Sequence, residues 1–341
     1  MKSKKATIHD IAKKLNITAS TVSRALKNDP RISKATKKAV TDKANELDYQ
    51  PNHIASALRS GKSQLIGVVV PIIDRTFFSA VIRGIEEVAY GLNYRVVVSQ
   101  SNEIVKHEVS TINALLNARV DGIIASLGKN TRDLEHYQNV IDKGVPLVLF
   151  DRTTDDLLTN QVIIDDYLGG YMATEHLIKQ GYRKIVHFTT VNAVNIYKER
   201  CRGYRQALSD YGIPFDEDLV SRGDMQLEDG IQGITKMLEQ GIVFDAIFSS
   251  SDYAAAGAMQ VLKKKGVRIP EDVGVVGFSN EQFTDLTDPP LTSIKQFPME
   301  MGHVAAQLFF DALEHPNKKP HPKKTVLQPE LIVRASSLRN D

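Results

Sequence analysis

The side chains that most often perform catalysis are scattered along this sequence, and their spacing indicates no catalytic or metal site. The nine histidines occur singly, without the spacing that metal ligands share, so we expect neither a metal nor a cofactor. Cys201 has no neighbour in the sequence that would act as its base. The triplet 61–63 resembles the end of a phosphate-binding loop, but residue 56 is serine where that loop requires glycine. The informative chemistry is therefore recognition.

Hydroxyl and guanidinium groups suited to reading bases are concentrated in the stretch 7–26, which predicts two short helices joined by a turn. The first helix has an apolar stripe at positions 8, 11, 12 and 15. Asn16 then ends it, because asparagine tolerates the left-handed backbone that a tight turn needs. Thr18 is the expected N-cap of the second helix. This pattern is typical of a helix-turn-helix.

The second helix should leave a polar face free near its N-terminal half, with small residues that allow close approach to a major groove. The alternative is an ordinary helical hairpin, which periodicity alone would favour. Charge argues against that alternative: residues 1–62 carry a net charge of +9 and the remaining 279 residues a net charge of −7. The basic head therefore indicates a polyanionic partner.

A third helix is expected from about Ser33 to Leu47, with inward-facing side chains at 35, 39, 40, 44 and 47. The next stretch, 49–62, begins a short alanine-rich helix at Pro51 and ends it at Gly61. One interpretation is a linker with nascent helix. The other is a hinge helix that orders against a second copy on DNA and inserts Leu58 into the minor groove.

Residues 5–63 resemble the DNA-binding domain of the lactose/galactose repressor (LacI/GalR) family of bacterial transcription regulators. The resemblance rests on Thr7-Ile8-His9-Asp10-Ile11-Ala12, on Thr21-Val22-Ser23-Arg24-Ala25-Leu26, and on Pro51-Asn52 followed by Ala55 and Leu58. One departure is Leu15-Asn16-Ile17, where the family usually has Ala-Gly-Val. The DNA-binding residues expected on this basis are Thr7, Thr18, Ala19, Ser20, Thr21, Ser23, Arg24, Asn28, Asn52, Ala55 and Leu58.

Beyond Ser63 the sequence alternates short apolar runs with helices of about 12 to 16 residues, which predicts an α/β fold. The runs start near residues 65, 95, 122, 147 and 162, and the rhythm restarts near 184 and continues at 246 and 273. This repetition predicts two doubly wound parallel sheets in tandem. Ligands of such sheets bind at the carboxyl ends of the strands, so two facing units would enclose a ligand between them.

The family resemblance extends to residues 64–341 and implies a two-lobed core like that of periplasmic binding proteins. The domains expected are a three-helix helix-turn-helix domain (1–50), a hinge helix (51–62) and this core (63–341). The N-lobe would span about 63–163 and 294–325, and the C-lobe about 164–291 and 326–341. The resemblance implies that strand-end loops contact the effector through Asp74, Arg75, Phe77, Phe78, Asp151, Arg152, Arg200, Met225, Ser251, Ser279 and Gln296.

Each of these residue types suits a role. Phe77 and Phe78 offer flat faces to a sugar or base ring, or else they are core residues, and the two interpretations are equally supported. Asp151 would accept from hydroxyls, whereas Arg152 and Arg200 would donate. The family commonly has asparagine in place of Ser251 and aspartate in place of Ser279. Because these acceptors are lost, the sequence also raises the hypothesis of an anionic sugar derivative.

The sequence is thus expected to encode a ligand-responsive transcriptional regulator, most simply a repressor of a carbohydrate-utilisation operon. Its expected partners are a palindromic operator DNA, a sugar or sugar-derived effector and a second copy of itself, and not a membrane. It should work in the bacterial cytoplasm, nucleoid-associated when bound to DNA. The alternative is a solute-binding protein with the same core, which would need a signal peptide and would have no use for a basic head. An enzyme is not expected.

Overall fold

The computed structural model describes residues 6–49, 62–191, 194–315 and 322–339. They fall into two compact units, which divide between Ser63 and Gln64. The hinge helix expected at 51–62, with Asn52, Ala55 and Leu58, falls almost wholly outside the described residues. No helix in the described ranges is long and apolar enough to cross a membrane.

Within the described residues, the first unit contains three helices, α1 (Ile8–Leu15), α2 (Ala19–Leu26) and α3 (Lys34–Glu46). Each begins at a hydroxyl N-cap, supplied by Thr7, Thr18 and Ser33 in turn. Asn16 has a φ of 51°, the left-handed conformation expected of it at the turn between α1 and α2. The core centres on Ile11, Val22 and Val40, one fully buried residue from each helix.

The third helix differs from its prediction in the width of its buried face. Val40 and Ala44 are buried and Leu47 packs beside them, but Ala35 and Ala39 are exposed, so their prediction was wrong. The physical reason is length: α3 has 13 residues and faces two helices of eight, so a narrow i, i+4 stripe suffices to cover the core. Elsewhere on α3, Lys34 and Lys38 are exposed, and Lys37 and Lys43 are half-buried.

The larger unit contains two six-stranded sheets, and the first is parallel throughout. Its helices are α4 (Thr76–Gly91), α5 (Val105–Asn117), α6 (Glu135–Asp142) and a late addition, α11 (Pro298–Glu314), which packs on α4. Its strand order is β11-β5-β4-β3-β1-β2. The strands are β1 (Leu65–Val70), β2 (Arg95–Gln100), β3 (Gly122–Ala125), β4 (Leu147–Phe150), β5 (Asn160–Ile164) and β11 (Lys324–Leu327).

The second sheet has the order β12-β10-β9-β8-β6-β7, and β12 alone runs antiparallel to its neighbour. Its helices are α7 (Asp166–Lys179), α8 (Asn195–Asp210), α9 (Leu227–Glu239) and α10 (Asp252–Lys264). The strands are β6 (Ile185–Thr189), β7 (Val220–Arg222), β8 (Ala246–Ser249), β9 (Gly274–Ser279), β10 (Thr292–Lys295) and β12 (Glu330–Ile332). The two doubly wound sheets expected from the sequence are therefore confirmed.

The chain crosses between the lobes at slightly different points from those expected. Ile294 was assigned to the N-lobe, but it pairs with Phe278 of β9 and so belongs to the second sheet. Val326 was assigned to the C-lobe, but it pairs with Ile163 of β5 in the first sheet. The crossing after β10 occurs at Phe297, whose φ of 52° turns the chain into Pro298 at the start of α11.

Candidate functional site

The polar face of α2 is accessible in the first unit. Ser20 and Arg24 are exposed, while Ser23, Thr21 and Ala19 are half-buried. The Thr18 hydroxyl lies 2.8 Å from the hydroxyl of Ser20 and 2.9 Å from that of Thr21, a cluster of donors at the start of the helix. Together with the positive end of the helix dipole, such a cluster suits a phosphate or a base edge.

Two other predicted DNA contacts flank the helices. Thr7 is exposed and caps α1, and its hydroxyl donates to Asp10 at 2.7 Å. Asn28 follows α2 with a φ of 57°, and its carbonyl accepts a hydrogen bond from Lys37 on α3 at 3.1 Å. Both side chains are therefore at the surface, where a duplex could reach them. Their contact with DNA stays a prediction.

In the larger unit, a cavity of about 100 Å³ opens between the two lobes, lined by residues at the carboxyl ends of both sheets. Asp74 does not line it, because it lies exposed in the bend before α4. The cavity brings together the other ten residues named from the sequence: Arg75, Phe77, Phe78, Asp151, Arg152, Arg200, Met225, Ser251, Ser279 and Gln296.

Arg200 reaches the cavity from the middle of α8 and not from a loop. Its guanidinium is buried, donates to Asp166 at 2.8 Å and to the carbonyl of Ser250 at 2.9 Å, and lies 3.6 Å from the ring centre of Phe278. Burial raises the pKa of Asp166 to about 7, although Arg200 opposes that rise. The guanidinium is thus held rigidly, with Asp166 as a partner that the sequence did not reveal.

Arg152 is also paired, and again with an unexpected carboxylate. It donates to Glu103 at 2.7 Å, whereas its Nε lies 4.0 Å from Asp151 and has no hydrogen-bond partner among the described residues. Burial raises the pKa of Asp151. Glu103 is therefore the main partner of Arg152, and Asp151 is a more distant neighbour.

Two sets of contacts cross the cleft and join the lobes. Lys129, in the loop after β3, lies 2.9 Å from Asp224 of the second lobe. Arg75, just before α4, donates to the side chain of Gln226 and stacks 3.8 Å from the ring centre of Tyr253. These contacts place the lobes in a closed arrangement around the cavity.

Phe77 and Phe78 serve the core as well as the cavity. Both are buried, their ring centres are 5.2 Å apart in an edge-to-face arrangement, and Phe78 lies 6.3 Å from Phe150. They belong to the apolar cluster of the first lobe while also lining the cleft. The two interpretations left open by the sequence therefore both describe part of their environment.

Several lining residues were not named from the sequence. Most of them follow strands that the sequence did predict, but the apolar runs do not show which loop residues face the cleft; the strand β7, which precedes Asp224, was itself not predicted because it has three residues and no apolar run. Tyr197, on α8, has no such signal. The additional residues are Ile72, Glu103, Lys129, Thr190, Ile196, Tyr197, Asp224, Gln226, Ser250, Tyr253 and Glu281.

A three-helix unit with a free recognition face, joined to a two-lobed core with a closed cleft, defines a ligand-sensing DNA-binding protein. Residues 7–52 match the family model "Bacterial regulatory proteins, lacI family", and residues 63–334 match "Periplasmic binding proteins and sugar binding domain of LacI family". The chain belongs to the lacI family of DNA-binding transcriptional regulators.

Similar proteins cover the chain along its whole length. It is 32% identical over 334 residues to the HTH-type transcriptional regulator DegA of Bacillus subtilis, covering 98% of each chain. It resembles the lac repressor dimer bound to operator and an anti-inducer, with a TM-score of 0.87, 27% identity and coverage of 98% and 100%. It also resembles a complex of the regulator CelR with cellobiose, with a TM-score of 0.74, 29% identity and coverage of 97% and 99%.

Proposed function

We propose that this chain is a repressor that binds a palindromic operator as a homodimer and changes its DNA affinity when a sugar or sugar derivative enters the cleft. The observation that carries the proposal is the exposed face of α2, where Ser20 and Arg24 lie at the surface while the opposite face of the helix packs into the core. The similar structures bound to operator and to cellobiose support the two partners. Since its target is DNA, we place the protein in the bacterial cytoplasm, without a catalytic role.

Arg24 provides the sharpest test of the DNA-binding face. The full-length protein is first used to select a palindrome from a random DNA pool. We expect Arg24→Ala to weaken binding to that palindrome by about 1–3 kcal/mol and to remove the discrimination at one base pair of each half-site. Lys43→Ala, which removes an equal charge from the far end of α3, is the matched control and should retain the base preference. If fluorescence anisotropy gives both variants the same specificity, α2 is not the reading helix.

The charges around the cavity favour a neutral, hydroxyl-bearing effector over the anionic one that the sequence suggested. The lining residues include four cations, Arg75, Lys129, Arg152 and Arg200, and four carboxylates, Glu103, Asp151, Asp224 and Glu281. Three of the cations are already paired with carboxylates at 2.7 to 2.9 Å. An added anion would compete with these carboxylates, whereas a hydroxyl can accept a hydrogen bond from Arg152 Nε–H and donate one to the Ser251 hydroxyl.

A thermal-shift screen of the full-length protein tests this choice with matched pairs. Neutral saccharides, cellobiose among them, are compared with the sugar acids and sugar phosphates that share their skeletons. We expect the stabilising compounds to be neutral. If instead a phosphorylated or carboxylated member raises the midpoint while its neutral counterpart does not, the anionic hypothesis from the sequence is restored.

A further inference from the structure

Glu103 joins three loops at the carboxyl-end edge of the first sheet. It lies between β2 and α5, and one of its carboxylate oxygens accepts from the guanidinium of Arg152, in the loop after β4, at 2.7 Å. The other oxygen accepts from the backbone N–H of Lys129, in the loop after β3, at 2.7 Å. Glu103, Lys129 and Arg152 all line the cavity. Both oxygens of one carboxylate therefore bind to the wall of the cavity.

The backbone at Glu103 has an uncommon conformation. Asn102 and Glu103 have φ values of 53° and 59°, in the left-handed region that residues other than glycine rarely adopt. The neighbouring loop holds this turn, because the Asn130 side chain donates to the carbonyl of Glu103 at 3.3 Å, next to the hydrogen bond from the Lys129 amide. The turn is thus fixed with the carboxylate directed at Arg152.

The loop after β3 has a second anchor that does not involve Glu103. Glu108, a buried residue of α5, accepts from the backbone N–H of Gly128 and from the hydroxyl of Thr131, both at 2.9 Å. Because these hydrogen bonds hold the loop from behind, its fold does not depend on the charge of Glu103. A change at Glu103 that keeps the shape of the side chain can therefore be made in a folded protein.

The pair of Glu103 and Arg152 sets the charge of the wall of the first lobe. The two side chains are only 12% and 11% exposed, so water and salt screen them less than the more exposed pair of Lys129 and Asp224. Asp151 is more distant, at 4.0 Å from Arg152 Nε, and that Nε has no hydrogen-bond partner among the described residues. Without the charge of Glu103, Arg152 would lose its close counter-charge and still have an unpaired donor.

We propose that Glu103 determines the charge specificity of the effector cavity, because it neutralises Arg152 and so excludes anions while Arg152 Nε stays available to a hydroxyl. This inference rests on the proposed function, in which the cleft is the site of a neutral effector. Glu103→Gln keeps the shape of the side chain and removes its charge. An arginine without a carboxylate partner binds anions through charge-assisted hydrogen bonds, so this variant should admit an anion that the wild-type protein excludes.

Inorganic phosphate tests this inference without requiring an identified effector. The cavity of about 100 Å³ has room for so small an anion while the cleft stays closed. Thermal unfolding of the full-length protein is measured in about 20 mM phosphate and in sodium chloride of equal ionic strength. We expect phosphate to raise the midpoint of Glu103→Gln by about 2–5 °C more than that of the wild type, as a dissociation constant of about 2 mM would produce. Phosphate that binds the basic head acts on all variants alike.

Further variants separate the cavity from a general effect of charge. Asp155→Asn removes an exposed carboxylate from the same lobe, where Asp155 pairs with Lys324 at 2.9 Å, and it is the matched control that should follow the wild type. Glu103→Asp keeps the charge and should also follow the wild type. Arg152→Met, added to Glu103→Gln, should abolish the gain. Glu103→Ala removes the same charge and replaces Glu103→Gln if that protein folds poorly.

Three results would overturn the proposal. The first is a Glu103→Gln protein that gains no more from phosphate than the wild type, the second is an equal gain in Asp155→Asn, and the third is a gain that survives Arg152→Met. DNA binding of the wild-type protein is measured on the same samples. If the wild-type protein fails to bind DNA, the proposed function fails, whereas the phosphate data still decide whether Glu103 keeps anions out of the cavity.

Discussion

At the scale of single residues, the most constrained group in the cleft is the guanidinium of Arg200. Its charge is removed from water, and Asp166 compensates it at 2.8 Å. Removing one member of a buried pair strands the other charge, which costs more than the pair itself contributes. The same residue thus holds α7 to α8 and presents a donor to the cavity.

We expect Arg200→Ala to lower the free energy of unfolding by about 3–5 kcal/mol, because Asp166 is left buried without its counter-charge. Arg202→Ala is the matched control: it lies two residues away on α8, is exposed, and pairs with Glu199 at 2.6 Å. That change should cost about 1 kcal/mol or less. Urea unfolding followed by circular dichroism distinguishes them, and equal losses would show that the buried pair is not special.

His187 supplies a second residue-scale prediction, on acid stability. Its ring is fully buried and stacks between Tyr204 and Phe248, with ring centres 4.7 and 4.8 Å away. Burial lowers its pKa to about 3, so below its usual pKa of 6.5 the unfolded chain binds the proton and the folded chain does not. Stability is therefore lost as the pH falls from 6.5.

Between pH 7 and pH 5, this histidine alone should lower the free energy of unfolding by about 2 kcal/mol. His187→Phe keeps the stacked ring but removes the titration, so it should flatten that part of the stability profile. His107→Phe, at an exposed position of α5, should leave the profile as it is. Unfolding curves at closely spaced pH values provide the measurement, and an unchanged slope in His187→Phe would contradict the assignment.

At the scale of elements, the reach of Arg200 depends on how closely α7 and α8 approach. A Cβ atom on Gly170 would lie 2.2 Å from the carbonyl oxygen of Arg200, and one on Gly203 would lie 2.1 Å from that of Tyr167. Backbone atoms cannot move aside cheaply, so glycine is required at both positions. The close approach of α7 and α8 at these two glycines brings Asp166 within hydrogen-bond distance of Arg200.

Gly203→Ala should force the two helices apart, lowering the free energy of unfolding by about 1–3 kcal/mol and weakening effector binding along with it. Gly91→Ala is the matched control, since a Cβ there meets nothing within 4 Å and alanine favours the helix. It should be neutral or stabilising by up to about 1 kcal/mol. Thermal unfolding of the two variants provides the measurement. If Gly203→Ala is as stable as Gly91→Ala, the packing argument is wrong.

The same elements explain what the sequence could and could not predict. Apolar runs identified most strands, and the family resemblance then assigned Asp151, Ser251 and Ser279, in the loops after three of them, to the cleft, where the structure has them. Strand β10 was not predicted because Thr292 and Ser293 are polar. Both are nevertheless fully buried, and their hydroxyls form hydrogen bonds to Ser337 and Asp252, respectively. The partners of the arginines were missed because Glu103 and Asp166 reach them only through tertiary packing, which periodicity does not encode.

At the scale of the whole molecule, the charge is divided between the two units. The first 62 residues carry a net charge of +9, and the rest of the chain carries −7. A polyanion is attracted to the head and repelled by the core. Binding that depends on lysine and arginine contacts to phosphates releases counterions, so its affinity must fall steeply as salt is added.

We therefore expect the affinity for a selected palindrome to fall at least about 10³-fold between 50 and 200 mM salt, the loss that six or more phosphate contacts produce. Lys38→Gln, at an exposed position of α3 in the head, should reduce the slope of log affinity against log salt by about 0.9 for each lost contact, and hence about twice that in a dimer. Lys263→Gln removes the same charge from the core, where Lys263 pairs with Asp288 at 2.6 Å, and should leave the slope unchanged. Anisotropy titrations at four or more salt concentrations give the slopes. A shallow slope in the wild-type protein, or equal changes in the two variants, would mean that the basic head does not bind DNA independently of the acidic core.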